Sequence, residues 1–225
     1  MVLIQKEALI NWEKSFDRGI DKKYPNIDMV RLIQWHFGNE SSGNLLEYGF
    51  GTGSNSLHLI DCGYNYHGLD ICEGAKKLTE SKIRKKYPNP DYELKLLQEN
   101  DTNLPYVDNQ FDYIICLSVL SLLGSEKNVR ELLSEFKRIL KRGGKIIIDI
   151  NDHDSEFSKG YEMIENNVFL TPSNNDLMPF KSFCLKDEKS FNQLISSYFK
   201  IDDSGYSCHK LFGRRINEWI ICATN

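Results

Sequence analysis

From residue 44 onward the chain alternates short apolar runs with longer stretches whose apolar residues recur every three or four positions. NLLEY, residues 44 to 48, ends at a glycine and predicts a strand, and SLHLIDCG, 56 to 63, predicts a brief helix closed by Gly63. YHGLD (66 to 70), YELKLLQ (92 to 98) and FDYIICL (111 to 117) predict further strands, the last apolar enough to be buried on both faces. CEGAKKLTESKIRKKY, 72 to 87, reads as a polar helix stopped by PNP. The clearest helix lies in SEKNVRELLSEFKRILKRGG, where Val129, Leu132, Leu133, Phe136, Ile139 and Leu140 form one face. Ser125 is expected to cap its start, Lys141 and Arg142 to suit its negative end, and Gly143 to close it in a left-handed conformation. KIIIDI, 145 to 150, then predicts a buried central strand.

Such strand-then-helix repetition implies right-handed crossovers and a parallel sheet with helices on both faces. The tail differs. After a helix at 187 to 198, FKIDDSGYSC and RINEWIICAT flank HKLFGR in the manner of a hairpin. The expectation is a single α/β domain, residues 1–225, doubly wound around a seven-stranded, mostly parallel sheet with a C-terminal antiparallel hairpin. Residues 1–42 are expected as an N-terminal helical lid and 43–150 as the ligand-binding core. The segment 151–186, with its polar SNND and two prolines, is a second lid over the substrate, and 187–225 holds the terminal helix and hairpin.

Composition narrows the class. With 225 residues, 40% of them apolar, the chain can bury one good core. A formal charge of −4 disfavours extended nucleic-acid contact or an anionic-membrane patch. The six cysteines contain no CxxC pair and read as reduced thiols, and the histidines supply no clustered ligand set, so no metal is expected. The opening MVLIQKEALINWEK lacks the features of a secretion signal, and no run approaches the ~20 apolar residues of a membrane span, which predicts a soluble cytoplasmic protein.

The chemistry concentrates in LLEYGFGTGSN, where Gly49, Gly51 and Gly53 follow the first strand. In an open parallel sheet ligands sit beyond the carboxyl ends of the strands, and glycines there let backbone approach a ligand beside a helix N-terminus. A dinucleotide fingerprint would want glycine where Ser54 stands, and a P-loop would end in GK[ST]. Glu47 opposes a pyrophosphate but suits a cationic group. Asp70, 21 residues after Gly49 at the end of the second strand, is placed to reach ribose hydroxyls, and Asp101, just past the third, to accept from an adenine amino group. A cationic end, a ribose and an adenine describe S-adenosylmethionine.

On these residues the sequence resembles a class I S-adenosylmethionine-dependent methyltransferase of the small-molecule type, the kind that includes ubiquinone-biosynthesis enzymes. LLEYGFGTG stands for the family's ExGxGxG loop, GLDIC for its ribose acid, NDTNLPYVDNQFDYIICLSVL for its adenine acid and fourth strand, and FKRILKRGGKIIIDI for its helix and fifth strand. The resemblance implies that Glu47, Gly49, Gly51, Thr52 and Gly53 surround the methionine moiety. It gives Asp70 and Ile71 the ribose, Asn100, Asp101 and Thr102 the adenine, and Leu117 and Ser118 the sulfonium side. It also puts an N-terminal aromatic, Trp12, over the cofactor. His153, after the fifth strand, is the histidine placed for a general base, and Tyr161, Arg214 and Arg215 could meet an anionic acceptor.

The expected reaction moves a methyl group to an O or N atom of a small molecule and leaves S-adenosylhomocysteine. The strand end CLSV lacks the [DN]PP[YF] of enzymes that methylate DNA-base or glutamine amino groups, and Cys116 lacks the preceding proline of those that attack pyrimidine carbon. Two alternatives share much of the pattern: a non-catalytic cofactor-binding or partner-activating subunit, and a nicotinamide-dependent reductase on a similar sheet.

Overall fold

The computed structural model describes residues 5–38, 42–89, 91–98, 101–172, 176–211 and 214–225, apart from the side chains of Leu211 and Arg214. Strands β1 (Asn44–Tyr48), β2 (Asn65–Asp70), β3 (Tyr92–Leu96), β4 (Phe111–Cys116) and β5 (Leu140–Asn151) run parallel in the order β3-β2-β1-β4-β5. A separate antiparallel sheet follows, of β6 (Glu162–Glu165), β7 (Val168–Thr171) and β8 (Phe180–Phe183). The hairpin β9 (Lys200–Leu211) and β10 (Arg214–Thr224) completes the main sheet, with β10 antiparallel to β5 and β9 at the edge.

Helices cover both faces because successive residues of a central strand point to opposite sides. Leu46, Ile114, Ile146 and Ile148 join one core with Val129, Leu132 and Phe136 of α5 (Glu126–Ile139) and Phe191 and Ile195 of α6 (Glu188–Ser196). Their neighbours Leu45, Ile115 and Ile147 join the other, with Met29 of α2 (Ile27–Leu32), Leu59 of α3 (Ser54–Asp61) and Ile83 of α4 (Glu73–Lys86). A further helix, α1 (Lys6–Asp17), packs against α4 and, through Leu9, Trp12 and Phe16, against the second core. Strand order reverses between β1 and β4, which opens a crevice at the switch point, directly beyond Tyr48. No helix among the described residues is long and apolar enough to cross a membrane.

The 151–186 segment, which falls outside the strand-and-helix alternation read from the sequence, folds β6, β7 and β8 into a small sheet whose last strand packs against the turn Leu120–Leu123 after β4. One expectation needs correction: Gly143 does not close α5. The Ser125 hydroxyl caps the start by accepting from the Asn128 N–H at 3.2 Å, but the helix ends at Ile139, and Leu140 is already extended and paired with Phe111. The Asn225 amide donates to the carbonyl of Leu140 at 2.8 Å and to that of Lys137 at 3.1 Å, so a side chain does the closing. Gly143 is left-handed, φ +74°, inside the lead-in to β5.

Candidate functional site

The three glycines after β1 all have positive φ, +82° at Gly49, +51° at Gly51 and +73° at Gly53, a region that costs other residues about 1–2 kcal/mol. Their surroundings differ. A Cβ on Gly49 would stand 2.4 Å from Val119 Cγ2, so the loop after β4 presses against the glycine loop. One on Gly53 would stand 2.7 Å from Thr79 Oγ1 of α4, whose hydroxyl donates to the Gly51 carbonyl at 3.2 Å. One on Gly51 would meet no described atom within 4 Å. Gly49 and Gly53 are therefore needed for close packing, while Gly51 borders open space. Phe50, between them, is buried in the core beneath, beside Gly68.

Two buried acids hold this loop. The Asp70 carboxylate accepts from Gly51 N–H at 2.8 Å through Oδ2, and from Ile71 at 2.7 Å and Cys72 at 3.0 Å through Oδ1. Burial pushes its pKa up against the pull of those three donors. Glu47 lies deeper. Its Oε2 accepts from Tyr66 OH at 2.6 Å and Ser56 Oγ at 2.8 Å, and burial pushes the carboxyl up to about 7 despite both bonds. Glu47 thus ties β1 to β2 and the start of α3, with 2% of its surface exposed.

Because the folded state raises this pKa from 4.5 to about 7, the protonated carboxyl is the favoured form, and its stabilising contribution is complete below pH 4.5 and lost as pH rises to 7. That loss amounts to about 3 kcal/mol. Glu47→Gln keeps an acceptor for both hydroxyls and does not ionise. Urea midpoints measured from pH 4.5 to 8 should fall with pH in the wild type and fall much less in the variant; equal slopes would show that Glu47 does not hold the proton.

Helix α1 is tied on two sides. Glu13 of α1 accepts from the N–H groups of Glu73 at 2.6 Å and Gly74 at 3.1 Å, capping α4 just past Asp70. A Cβ on Gly74 would stand 2.6 Å from Phe16 Cβ, so the helices touch there. On its opposite side α1 bonds to the strap that leads into β8. Asn11, 7% exposed, exchanges two 2.7 Å bonds with the backbone of Met178, and Gln5 bonds to Lys181 N–H and C=O at 3.1 and 2.8 Å. The connection after α1 passes above the glycine loop, where Thr52 Oγ1 donates to the Lys22 carbonyl at 3.4 Å and Lys82 donates to the carbonyls of Lys22 and Thr52.

At the end of β4, Ser118 is exposed and left-handed, φ +58°. Its N–H donates to Asp149 Oδ1 at 2.6 Å and its hydroxyl to Glu218 Oε1 at 3.2 Å. Asp149 on β5 and Glu218 on β10 are 1% and 5% exposed. Burial raises both pKa values, and mutual repulsion adds to the rise at Asp149. Two carboxyls so placed behave as a pair that shares a proton.

The remaining expected site residues are distributed around this frame. Trp12, Ile71 and Leu117 are half-buried against the core on the α2–α4 side. Asp101 accepts from Gln98 N–H at 2.8 Å and Thr102 is exposed, whereas Asn100 lies outside the described residues. His153 Nε2 bonds to Asn167 Oδ1 at 3.0 Å and to the Cys184 carbonyl at 3.1 Å, with its ring edge on Phe169, and so faces the small sheet. Tyr161 is half-buried, its N–H on the Ser158 carbonyl. Arg215 pairs with Asp154 at 3.6 Å, and the Arg214 side chain is outside the described part. Sequence reasoning missed Glu218. An acid inside an alternating strand gives no sign of which partner strand it will meet.

Residues 46–148 match the family described as Methyltransferase domain. An uncharacterized protein of Methanocaldococcus jannaschii is 34% identical over 121 residues, covering 53% of this chain and 50% of the relative. The glycine/sarcosine N-methyltransferase of Aphanothece halophytica is 28% identical over 147 residues, covering 58% and 54%. A crystal structure of a SAM-dependent methyltransferase from Methanosarcina mazei superposes with a TM-score of 0.71 at 21% identity, over 90% of this chain and 98% of that one. The chain spans between 50% and 62% of the length of the first curated relatives it matches. The glycine loop beyond β1, the acid closing β2 and the reversed terminal strand lie within these likenesses: residues 46–148 are similar to the methyltransferase domain family, and the chain has the Rossmann-like fold of S-adenosylmethionine-dependent methyltransferases.

Proposed function

We propose that the chain transfers a methyl group from S-adenosylmethionine to an oxygen or nitrogen atom of a small-molecule acceptor. The observation that carries this reading is the glycine loop beyond β1, where a Cβ on Gly51 would meet no described atom within 4 Å while its N–H is anchored by Asp70. A carboxylate offers about four lone-pair sites, and Asp70 uses three on backbone, which leaves one for a ribose hydroxyl. In this reading Ile71 lines the ribose, Asp101 and Thr102 lie toward the adenine, and Leu117 and Ser118 flank the sulfonium, with Trp12 above. Once bound, the cofactor supplies an activated methyl group on a good leaving group. The protein's part is proximity, in-line alignment and exclusion of water, the last supplied by α1 and the strap.

Calorimetry with S-adenosylmethionine, S-adenosylhomocysteine and NAD tests the donor. Both sulfur compounds should bind and NAD should not. Binding of NAD alone would replace this reading with the reductase. Binding of the sulfur compounds without transfer, until a co-purified partner is added, would favour the activating subunit.

A further inference from the structure

The acid pair behind Ser118 is more than the fold requires. Ion pairing does not explain Asp149, for the side chain beside it is another acid; no N–H or hydroxyl donor among the described residues is aimed at its buried Oδ2, whose sole relief is a proton shared with Glu218. Two carboxyls held together out of water are costly to ionise unless a cationic group that comes and goes stands beside them. The pair stands at the carboxyl end of the sheet, on the face shared with α2, one residue's reach from the exposed Ser118. The charged groups facing it from neighbouring elements are Lys22 on the connection after α1, Asp28 on α2 and His209 on β9, with Asp28 Oδ2 bonded to Ser207 at 2.6 Å and to His209 at 3.1 Å.

We propose that Asp149 and Glu218 form the acceptor subsite, and that the acceptor it selects is an amine. This rests on the methyltransferase reading above. An amine reaches the protein mainly as an ammonium ion, whose nitrogen has no lone pair to attack with. Beside the pair the ammonium is held by opposite charge and gives one N–H proton to a carboxylate oxygen. The freed nitrogen lone pair then forms the N–C bond to the methyl group as the S–C bond breaks, and its electrons return to sulfur. The products are neutral S-adenosylhomocysteine and a methylated ammonium, which carries the positive charge away. A phenol or thiol could also give the pair a proton but brings no positive charge for it to hold, a phenolate, thiolate or carboxylate would set a second anion against it, and an alcohol is too weak an acid to give a carboxylate its proton.

The test supplies labelled S-adenosylmethionine with a panel of primary and secondary amines and their hydroxyl, thiol and carboxyl counterparts. Methylation should be confined to amines. Asp149→Asn and Glu218→Gln should each lower kcat by about a hundredfold or more, as loss of a general base does. Calorimetry should show S-adenosylmethionine binding within a few-fold of wild type in both variants, which also reports that they fold. The limb of kcat that rises with pH in the wild type should be displaced in both variants, a readout that a purely structural pair would not move. Transfer to oxygen or sulfur, wild-type kcat on an amine in either variant, or no transfer to any amine by a chain that binds S-adenosylmethionine would each overturn the inference. Failure of the wild type to bind S-adenosylmethionine would instead remove the reading beneath it.

Discussion

A Gly51→Ala chain should fold and lose S-adenosylmethionine, whereas Gly49→Ala should be damaged in the fold itself. The two positions are two residues apart in one loop and share a left-handed backbone, so both substitutions pay the same conformational penalty of about 1–2 kcal/mol. They part over what the new methyl meets. At Gly51 no described atom stands within 4 Å, so the remaining cost falls on whatever occupies the crevice. The expected loss of affinity is about a hundredfold, or ~2.7 kcal/mol. At Gly49 the methyl would overlap Val119 Cγ2 at 2.4 Å, adding about 1–3 kcal/mol of overpacking. Thermal unfolding with calorimetry separates the two, and Val119→Ala should recover much of the stability lost in Gly49→Ala. If Gly51→Ala binds as tightly as wild type, the cofactor does not lie against that face.

Asp70 should prove equally intolerant of substitution, and Asn should be no substitute. Were the acid only a ribose ligand, Asn could still offer a carbonyl oxygen and keep part of the affinity. Here both carboxylate oxygens face N–H donors, Gly51 on one side and Ile71 and Cys72 on the other, so an amide must point its NH2 group at a donor in either orientation. Bonds to a charged acceptor contribute about 1.5–3 kcal/mol each. Asp70→Ala and Asp70→Asn should therefore both cost at least about 2 kcal/mol of unfolding free energy and weaken S-adenosylmethionine by tenfold or more. Undiminished affinity in Asp70→Asn, measured by calorimetry, would separate the loop anchor from the ligand site.

The parts of the molecule that were legible in the sequence are those where local pattern and burial coincide. NLLEY and KIIIDI read as strands because residues on both faces are buried, Leu45 and Ile147 toward α2–α4, Leu46 and Ile148 toward α5 and α6. The α5 helix was legible because its apolar face and its Ser125 cap are set within one segment. Its end was not, since the closing group, Asn225, is 85 residues from the carbonyl of Leu140 to which it donates. None of β6, β7 and β8 was read from the sequence: in Glu162–Glu165 three of four residues are exposed, and VFLT at β7 is too short a run to mark a strand without its neighbours. The glycine loop and Asp70 announced a ligand through spacing, while Asp70's second task, anchoring Gly51, shows only once β2 lies beside β1. Glu218 was illegible for the same reason. Its place beside Asp149 depends on the register that sets Glu218 against Asn151.

The Asn11 seam has a bearing on how the crevice opens. Its amide bonds in both directions to the backbone of Met178. Swinging α1 away alone, or the strap alone, would break both bonds together, at a net cost of about 0.5–1.5 kcal/mol each once water takes their place. A hinge that carried both as one body would break only the Glu13 cap and the contacts beneath, whose polar groups water can replace. In the function proposed above, donor and acceptor would then share a single door, and a turnover that ends with two products to discharge would need it to open only once.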